Sequence, residues 1–157
     1  MGKWKRLALA GGGLILADQL TKLIVWNLLK PPAGSIKVIP DLFDLTLILN
    51  TGVAFGLLAG ARSVLRVSIL AGMTLLAVAL IVLLIYKSKE EKHVLLWGLS
   101  LVCGGALGNL IDRIRLGAVV DFLDFYIGSV HWPAFNLADA GTSVGTGIIL
   151  IALWLDR

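Results

Sequence analysis

Two tetrads of one form occur in the second half of the chain, "NLID" (109–112) and "NLAD" (136–139), each at an end of a long apolar run. The second could serve only as a helix start. Asn136 as N-cap and Asp139 as third helical residue make a variant capping box, and Pro133 upstream fits the same role. Another aspartate, Asp121, sits in "GAVVDFLDFY" among valine and phenylalanine, where poor solvation favours the neutral acid. Were two such carboxylates to meet at about 4 Å in an effective dielectric of about 20, repulsion would be on the order of 4 kcal/mol, or roughly three pKa units. Helix-dipole stabilisation of Asp139, ~0.3–1 kcal/mol, is smaller. The pair would then hold one proton near neutral pH, with Asp139 the ionised member at its helix terminus. Such a pair can take a proton from water and give one to a scissile carbonyl, the chemistry of peptide hydrolysis. Spacing alone leaves the partners open. Asp124 lies three residues from Asp121, on one face if that segment is helical, and Asp112 is also near.

These residues must be held by a chain made for lipid. Of 157 residues, 58% are hydrophobic and 15% charged, and the mean hydropathy is +0.92, more apolar surface than a soluble domain of this size could cover. The net charge of +4 is not gathered into a basic stripe with interleaved aromatics, which excludes a nucleic-acid partner. The one cysteine, Cys103, has no internal disulfide partner and reads as a small core residue. The beginning, "MGKWKRLALAGGGLILA", resembles a cleaved secretory signal, but the apolar pattern resumes beyond "DQLTK", so a retained first span is expected. Four spans are expected, at roughly 7–29, 64–86, 94–111 and 138–155, within one domain covering 1–157. Lys3, Lys5 and Arg6, with Lys87, Lys89 and Lys92 in a short turn, mark the cytoplasmic side. Lys30, Lys37, Arg62, Arg66, Arg113 and Arg115 fall on the other. Both termini are therefore expected in the cytoplasm.

Two longer segments face outward. In 30–63, "DLTLILN" alternates like a strand, suggesting a small sheet on the membrane surface. In 113–137, Tyr126, Trp132 and several phenylalanines suit the lipid headgroup level. Charges at membrane depth cost roughly 2.5–3.5 kcal/mol each and need a reason. Asp18 and Lys22, one turn apart, read as an internal ion pair, with Lys22 reaching outward to a headgroup or substrate as the alternative. Asp112, beside Arg113 and Arg115, reads as a structural anchor. Gly104 and Gly108 on span three and Gly141 and Gly145 on span four have small-xxx-small spacing, which predicts contact between those helices.

Two other classes compete with a peptidase. A channel or transporter would spread Asp18, Lys22, Asn109 and Asp139 through the bilayer depth and could carry an inverted repeat; here the polar groups gather near one side and no repeat is visible. A noncatalytic assembly subunit built on small-residue faces would leave the Asp121 environment unexplained.

Four ordered motifs narrow the choice: "DQLTK" (18–22), "NTGVAFG" (50–56), "GGALGNLIDRIRLGAVVDF" (104–122) and "FNLADAG" (135–141). Over nearly its whole length the chain resembles the signal peptidase II family of bacterial lipoprotein signal peptidases. The resemblance implies an all-α membrane protein: four transmembrane helices with a small extracytoplasmic β-cradle and a short surface helix. It implies catalytic aspartates at Asp121 and Asp139, and substrate- or dyad-supporting roles for Asn50, Asn109, Arg113 and Asn136. Structural roles fall on Asp18, Lys22, Asp112, Gly52 and Gly108. The expected partners are membrane lipid and prolipoproteins whose cysteine carries diacylglycerol, cleaved just before that cysteine. The expected site lies near the outer face of the bacterial cytoplasmic (inner) membrane, in a monomer. After the last motif this chain has "AGTS" where an aliphatic residue is usual, a difference expected to act on packing. His93 and His131 lack metal-ligand spacing, so neither metal nor cofactor is expected.

Overall fold

A computed structural model of the chain describes residues 1–30, 34–52 and 64–156. Arg62 and the part of "NTGVAFG" from Val53 to Gly56 lie outside the described residues. Four helices are long and apolar enough to cross a membrane: α1 Lys3–Leu29, α2 Val64–Lys87, α3 His93–Leu116 and α4 Leu137–Leu155. They match the four expected spans, with shifted ends. α1 begins before residue 7 and carries a π-helical stretch, Leu7–Gly12. α3 runs past residue 111 to Leu116 and stops where Gly117, at φ 68°, takes the left-handed conformation that closes a helix. That extra turn carries Asp112 and Arg113 out of the apolar stretch.

The elements outside these helices, among the described residues, are strands. β1 Ser35–Ile39, β2 Phe43–Asn50, β3 Val119–Ile127 and β4 Val130–His131 form an antiparallel sheet in that order. The expected strand in "DLTLILN" is β2. The helical possibility for the segment after Asp121 is corrected: "VVDFLDFYI" is strand β3, rich in the β-branched and aromatic residues that fit a pleated surface. With a side-chain period of two, Asp121 and Asp124 project to opposite faces. Asp124 accordingly meets His131 Nδ1 at 2.9 Å, away from Asp121. Against β3, β2 carries one extra residue: Leu45 pairs with Leu123, but Ile48 pairs with Asp121 and Asn50 with Val119. The sheet is pinned to the end of α1 by a core of Val25, Leu47, Val120 and Phe122.

At the other end of the bundle, Arg6 is buried against Glu90, at 3.5 Å, and His93, at 2.7 Å, while Lys92 pairs with Asp156 at 2.6 Å. Residues 3–6, the α2–α3 turn and residue 156 therefore share one end, and the sheet lies at the other.

The helices approach closely through glycine, and the expected contact of spans three and four is present, though two of the glycines serve another neighbour. Spans three and four do touch, through Gly98 and Gly145, where a Cβ on Gly98 would lie 2.8 Å from the Gly145 carbonyl oxygen. Gly104 instead meets Gly11 of α1, and Gly141 meets Leu14 of α1. Gly108 faces the Asp18 carboxylate and the Ala138 methyl. The small-xxx-small stripes are shared between two neighbours because α3 packs between α1 and α4. Gly98→Val should destabilise the protein by ~1–3 kcal/mol through overpacking, whereas Gly72→Ala, with nothing within 4 Å, should leave it equal or slightly more stable. Thermal unfolding of both variants in detergent micelles would check this.

Candidate active site

The site is assembled from the sheet-side ends of α1, α3 and α4 and the first half of β3. Its base is a buried charge cluster. Lys22 Nζ lies 2.8 Å from Asp18, one turn earlier on α1, and 2.7 Å from Asp112 on α3. Lys22 is 4% exposed and Asp18 0%, so neither charge is solvated by bulk water. The remaining carboxylate capacity is used on backbone. Asp18 Oδ1 accepts from the Ala138 amide at 3.0 Å, capping the first turn of α4 from another helix. Asp112 Oδ2 accepts from the Val120 amide at 3.1 Å, which fixes the start of β3. The anchoring of Asp112 therefore comes from Lys22 and β3, whereas Arg113 donates to the Asn109 carbonyl and Arg115 to Gln19. Gln19, to which no role was given from sequence, is part of the same cluster: its Nε2 donates to Asp112 at 3.0 Å, and to Asp18 and the Gly108 carbonyl at 3.2 Å. Its place between Asp18 and Lys22 was the only signal.

The two tetrads meet above this base. Asn136 and Asp139 form the capping box: the Asp139 amide donates to Asn136 Oδ1 at 3.0 Å, and the Asn136 amide to Asp139 Oδ2 at 3.3 Å. Asn109 Nδ2 donates to Asp139 Oδ1 at 2.8 Å. Asn136, fully buried, donates through Nδ2 to Asp121 Oδ1 at 2.7 Å and also contacts Asn109 Oδ1 and the Val120 carbonyl. Phe135 delivers Asn136 to this position, since its carbonyl accepts from the Phe122 and Leu123 amides beside β3. On the far side, Asn50 Nδ2 donates to Asp121 Oδ2 at 2.9 Å, and Asn50 Oδ1 accepts from the Gly52 amide at 3.0 Å.

Asp121 and Asp139 thus receive amide donors from three asparagines, and both line one cavity of about 1050 Å³. Asn50, Asn109 and Arg113 also line it; Asp18, Lys22 and Asp112 do not, and they act from behind the wall. Asp124 is not brought to it. Thr142 and Ser143, from the unusual "AGTS", line it one turn beyond Asp139.

Burial pushes the Asp121 carboxyl up to about 6, and the neighbouring Asp139 charge adds to the rise. The hydrogen bonds from Asn50 and Asn136 and the Lys22 charge oppose it, so desolvation wins.

A multi-pass membrane enzyme is the class that this fold and site define. Two solved structures of bacterial membrane enzymes are similar to it, at TM-scores of 0.83 and 0.81 and 33% identity. Both cover 96% of this chain, against 88% and 94% of their own. The model for signal peptidase (SPase) II matches residues 12–155. A lipoprotein signal peptidase from Syntrophus aciditrophicus is 42% identical over 91% of this chain and 88% of its own length. Another, from Desulforapulum autotrophicum, is 47% identical over 89% and 86%. The chain belongs to the signal peptidase II family and is a membrane peptidase.

The raised Asp121 carboxyl has a consequence for stability. The unfolded chain releases this proton near 3.8 and the native state near 6, so the native state binds more protons between those values. Stability should fall as pH rises through that window, by on the order of 3 kcal/mol in all. Thermal unfolding in detergent should show the melting temperature of the parent dropping from pH 4 to 6, with the slope reduced in Asp121→Asn.

Proposed function

We propose that this peptidase removes the signal peptide from diacylglyceryl-modified prolipoproteins by hydrolysing the bond just before the lipidated cysteine, with Asp121 and Asp139 as the catalytic pair. The observation that carries the reading is two carboxylates from different elements on one cavity wall, one of them raised to about 6 beside the other. Near pH 6 and below such a pair holds one proton. The Asp139 carboxylate takes a proton from water as the oxygen attacks the scissile carbonyl carbon, and the Asp121 carboxylic acid gives its proton to the carbonyl oxygen. In the tetrahedral diol that results, Asp139 returns its proton to the amide nitrogen and Asp121 takes one back from a hydroxyl. The carbon–nitrogen bond then breaks, leaving a carboxylic acid on the signal peptide, which releases its proton to water, and a free amine on the cysteine.

The cavity suits a substrate that is part lipid and part peptide. Its wall runs from the sheet (Asn50, Asp121) to apolar helix (Ala140, Thr142), so a peptide bond at the sheet level can have its acyl chains in lipid. Arg113 at the wall has guanidinium donors for substrate carbonyls. In this reading the chain is one domain and acts as a monomer in the bacterial cytoplasmic membrane. The end carrying Lys3, Lys5, Arg6, Lys87, Lys89 and Lys92 lies in the cytoplasm, and the sheet lies on the outer face.

Purified protein in detergent, given a diacylglyceryl-modified precursor, should cleave it and leave the unmodified precursor intact. Asp121→Asn and Asp139→Asn should each lose about a thousandfold or more in rate while keeping their fold. Active variants would sink the residue assignment, and an inert parent would sink the substrate.

A further inference from the structure

We propose that Lys22 is a positioning residue for the hydrolytic step, acting on Asp139 through the side-chain amide of Asn109; this rests on the catalytic-pair reading above. A carboxamide turned by 180° exchanges a donor for an acceptor, so an asparagine beside a carboxylate helps only if something holds its oxygen on the other side. Each of the three asparagines here has its oxygen held. Asn136 Oδ1 is taken by the Asp139 amide and Asn50 Oδ1 by the Gly52 amide, both fixed backbone donors. Asn109 Oδ1 is taken by Lys22 Nζ at 3.1 Å and by Asn136 Nδ2 at 3.2 Å.

Asn136 is the weaker holder. Its Nδ2 has two hydrogens and faces three acceptors, the shortest contact going to Asp121. Lys22 is the stronger one, because an ammonium has three hydrogens and no lone pair, and it meets three acceptors: Asp18, Asp112 and Asn109. Turning the Asn109 amide would set its NH2 against that ammonium and its oxygen against the Asp139 carboxylate. Both contacts would be repulsive at hydrogen-bond distance. Lys22 therefore keeps Asn109 Nδ2 donating to Asp139, 2.8 Å away, and so keeps Asp139 the ionised partner that accepts a proton from water. The buried triad is more than a helix staple: one of its three hydrogens serves the reaction.

The charged groups around the pair come from every packed element. α1 supplies Asp18 and Lys22, α3 supplies Asp112 and Arg113, and Asp44, Asp124 and His131 lie elsewhere on the sheet. A test must therefore separate the hydrogen bond from the field. Lys22→Met combined with Asp112→Asn removes one charge of each sign and leaves the formal charge of the triad unchanged. Cleavage of the diacylglyceryl-modified precursor would be followed across the acidic and neutral range in this variant, in Asp112→Asn alone, in Asn109→Ala and in the combination of all three.

Asp112→Asn alone, which takes a negative charge from the triad, should leave the acidic limb of the pH–rate profile in place or move it to lower pH. The charge-matched Lys22 variant should lose about tenfold or more in kcat with KM within about twofold, and its limb should move about one unit to higher pH. In the Asn109→Ala background the Lys22 change should add nothing, since its route is already gone. An unmoved limb in the folded variant, or a shift that adds to that of Asn109→Ala, would overturn the proposal, the second by making Lys22 a through-space charge only. Lys22→Met with Asp18→Asn gives the same readout through different packing, and failure of both pairs to fold would leave Lys22 a structural residue and also overturn it. An error in the catalytic-pair reading would show separately, as cleavage by Asp121→Asn or Asp139→Asn.

Discussion

The arrangement depends on one ammonium group out of reach of bulk water. A lone charge in that position would be intolerable, and breaking a buried pair typically costs about 3–5 kcal/mol. Lys22 avoids this by sharing itself between Asp18 and Asp112, on two helices. Each of those carboxylates then spends an oxygen on backbone that would otherwise be unsatisfied, the first turn of α4 through Ala138 and the start of β3 through Val120. Three elements and the sheet are thereby referred to a single point. Asn109 inherits its orientation from it, Asn136 and Asn50 take theirs from backbone amides, and the two aspartates are held by the three asparagines. Apolar packing between lipid-facing helices supplies little directional information, so polar contacts of this kind decide which way the sheet-side ends face.

The site also sets function against stability. Asp121 is 2% exposed, among Val119, Val120 and Phe122, and burial raises its carboxyl above that of an ordinary aspartate. A fold selected for stability alone would place a hydrophobic residue there. Its two amide donors reduce the cost of the ionised form without removing it, which keeps the group able to change protonation state near neutrality. The rest of the site is saturated with partners: no buried side-chain nitrogen or oxygen among the described residues lacks a hydrogen bond.

What the sequence makes legible follows from range. Length and hydropathy are local, so four spans could be read from composition, and so could Asn136 with Asp139 as a capping box, since its members are three residues apart. β2 was visible in the alternation of "DLTLILN". β3 was harder to see, because Val119 to Phe122 are buried on both faces of the strand and the run does not alternate. The glycine spacing on α3 and α4 correctly announced contact between those helices but not a second neighbour for the same stripes, since small residues accept any partner; Gly104 went to α1. The meeting of Asn109 with Asn136, and of Lys22 with Asn109, joins residues far apart in the chain, and nothing local encodes it. Motif order and the resemblance it supports pointed to those residues without giving the contacts among them.

The extra residue in β2 has a bearing on how such a chain can vary. With it, Ile48 and Asn50 lie on the Asp121 side of the sheet. Were β2 to pair past Leu45 without this bulge, the pleat would turn over, and Leu47 would stand opposite Asp121 while Asn50 faced the apolar core under the sheet. The bulge therefore decides which side chains of this strand face the acid. The reading frame of the polymer, counted in single residues between Leu45 and Asn50, is itself part of what holds the acid in place.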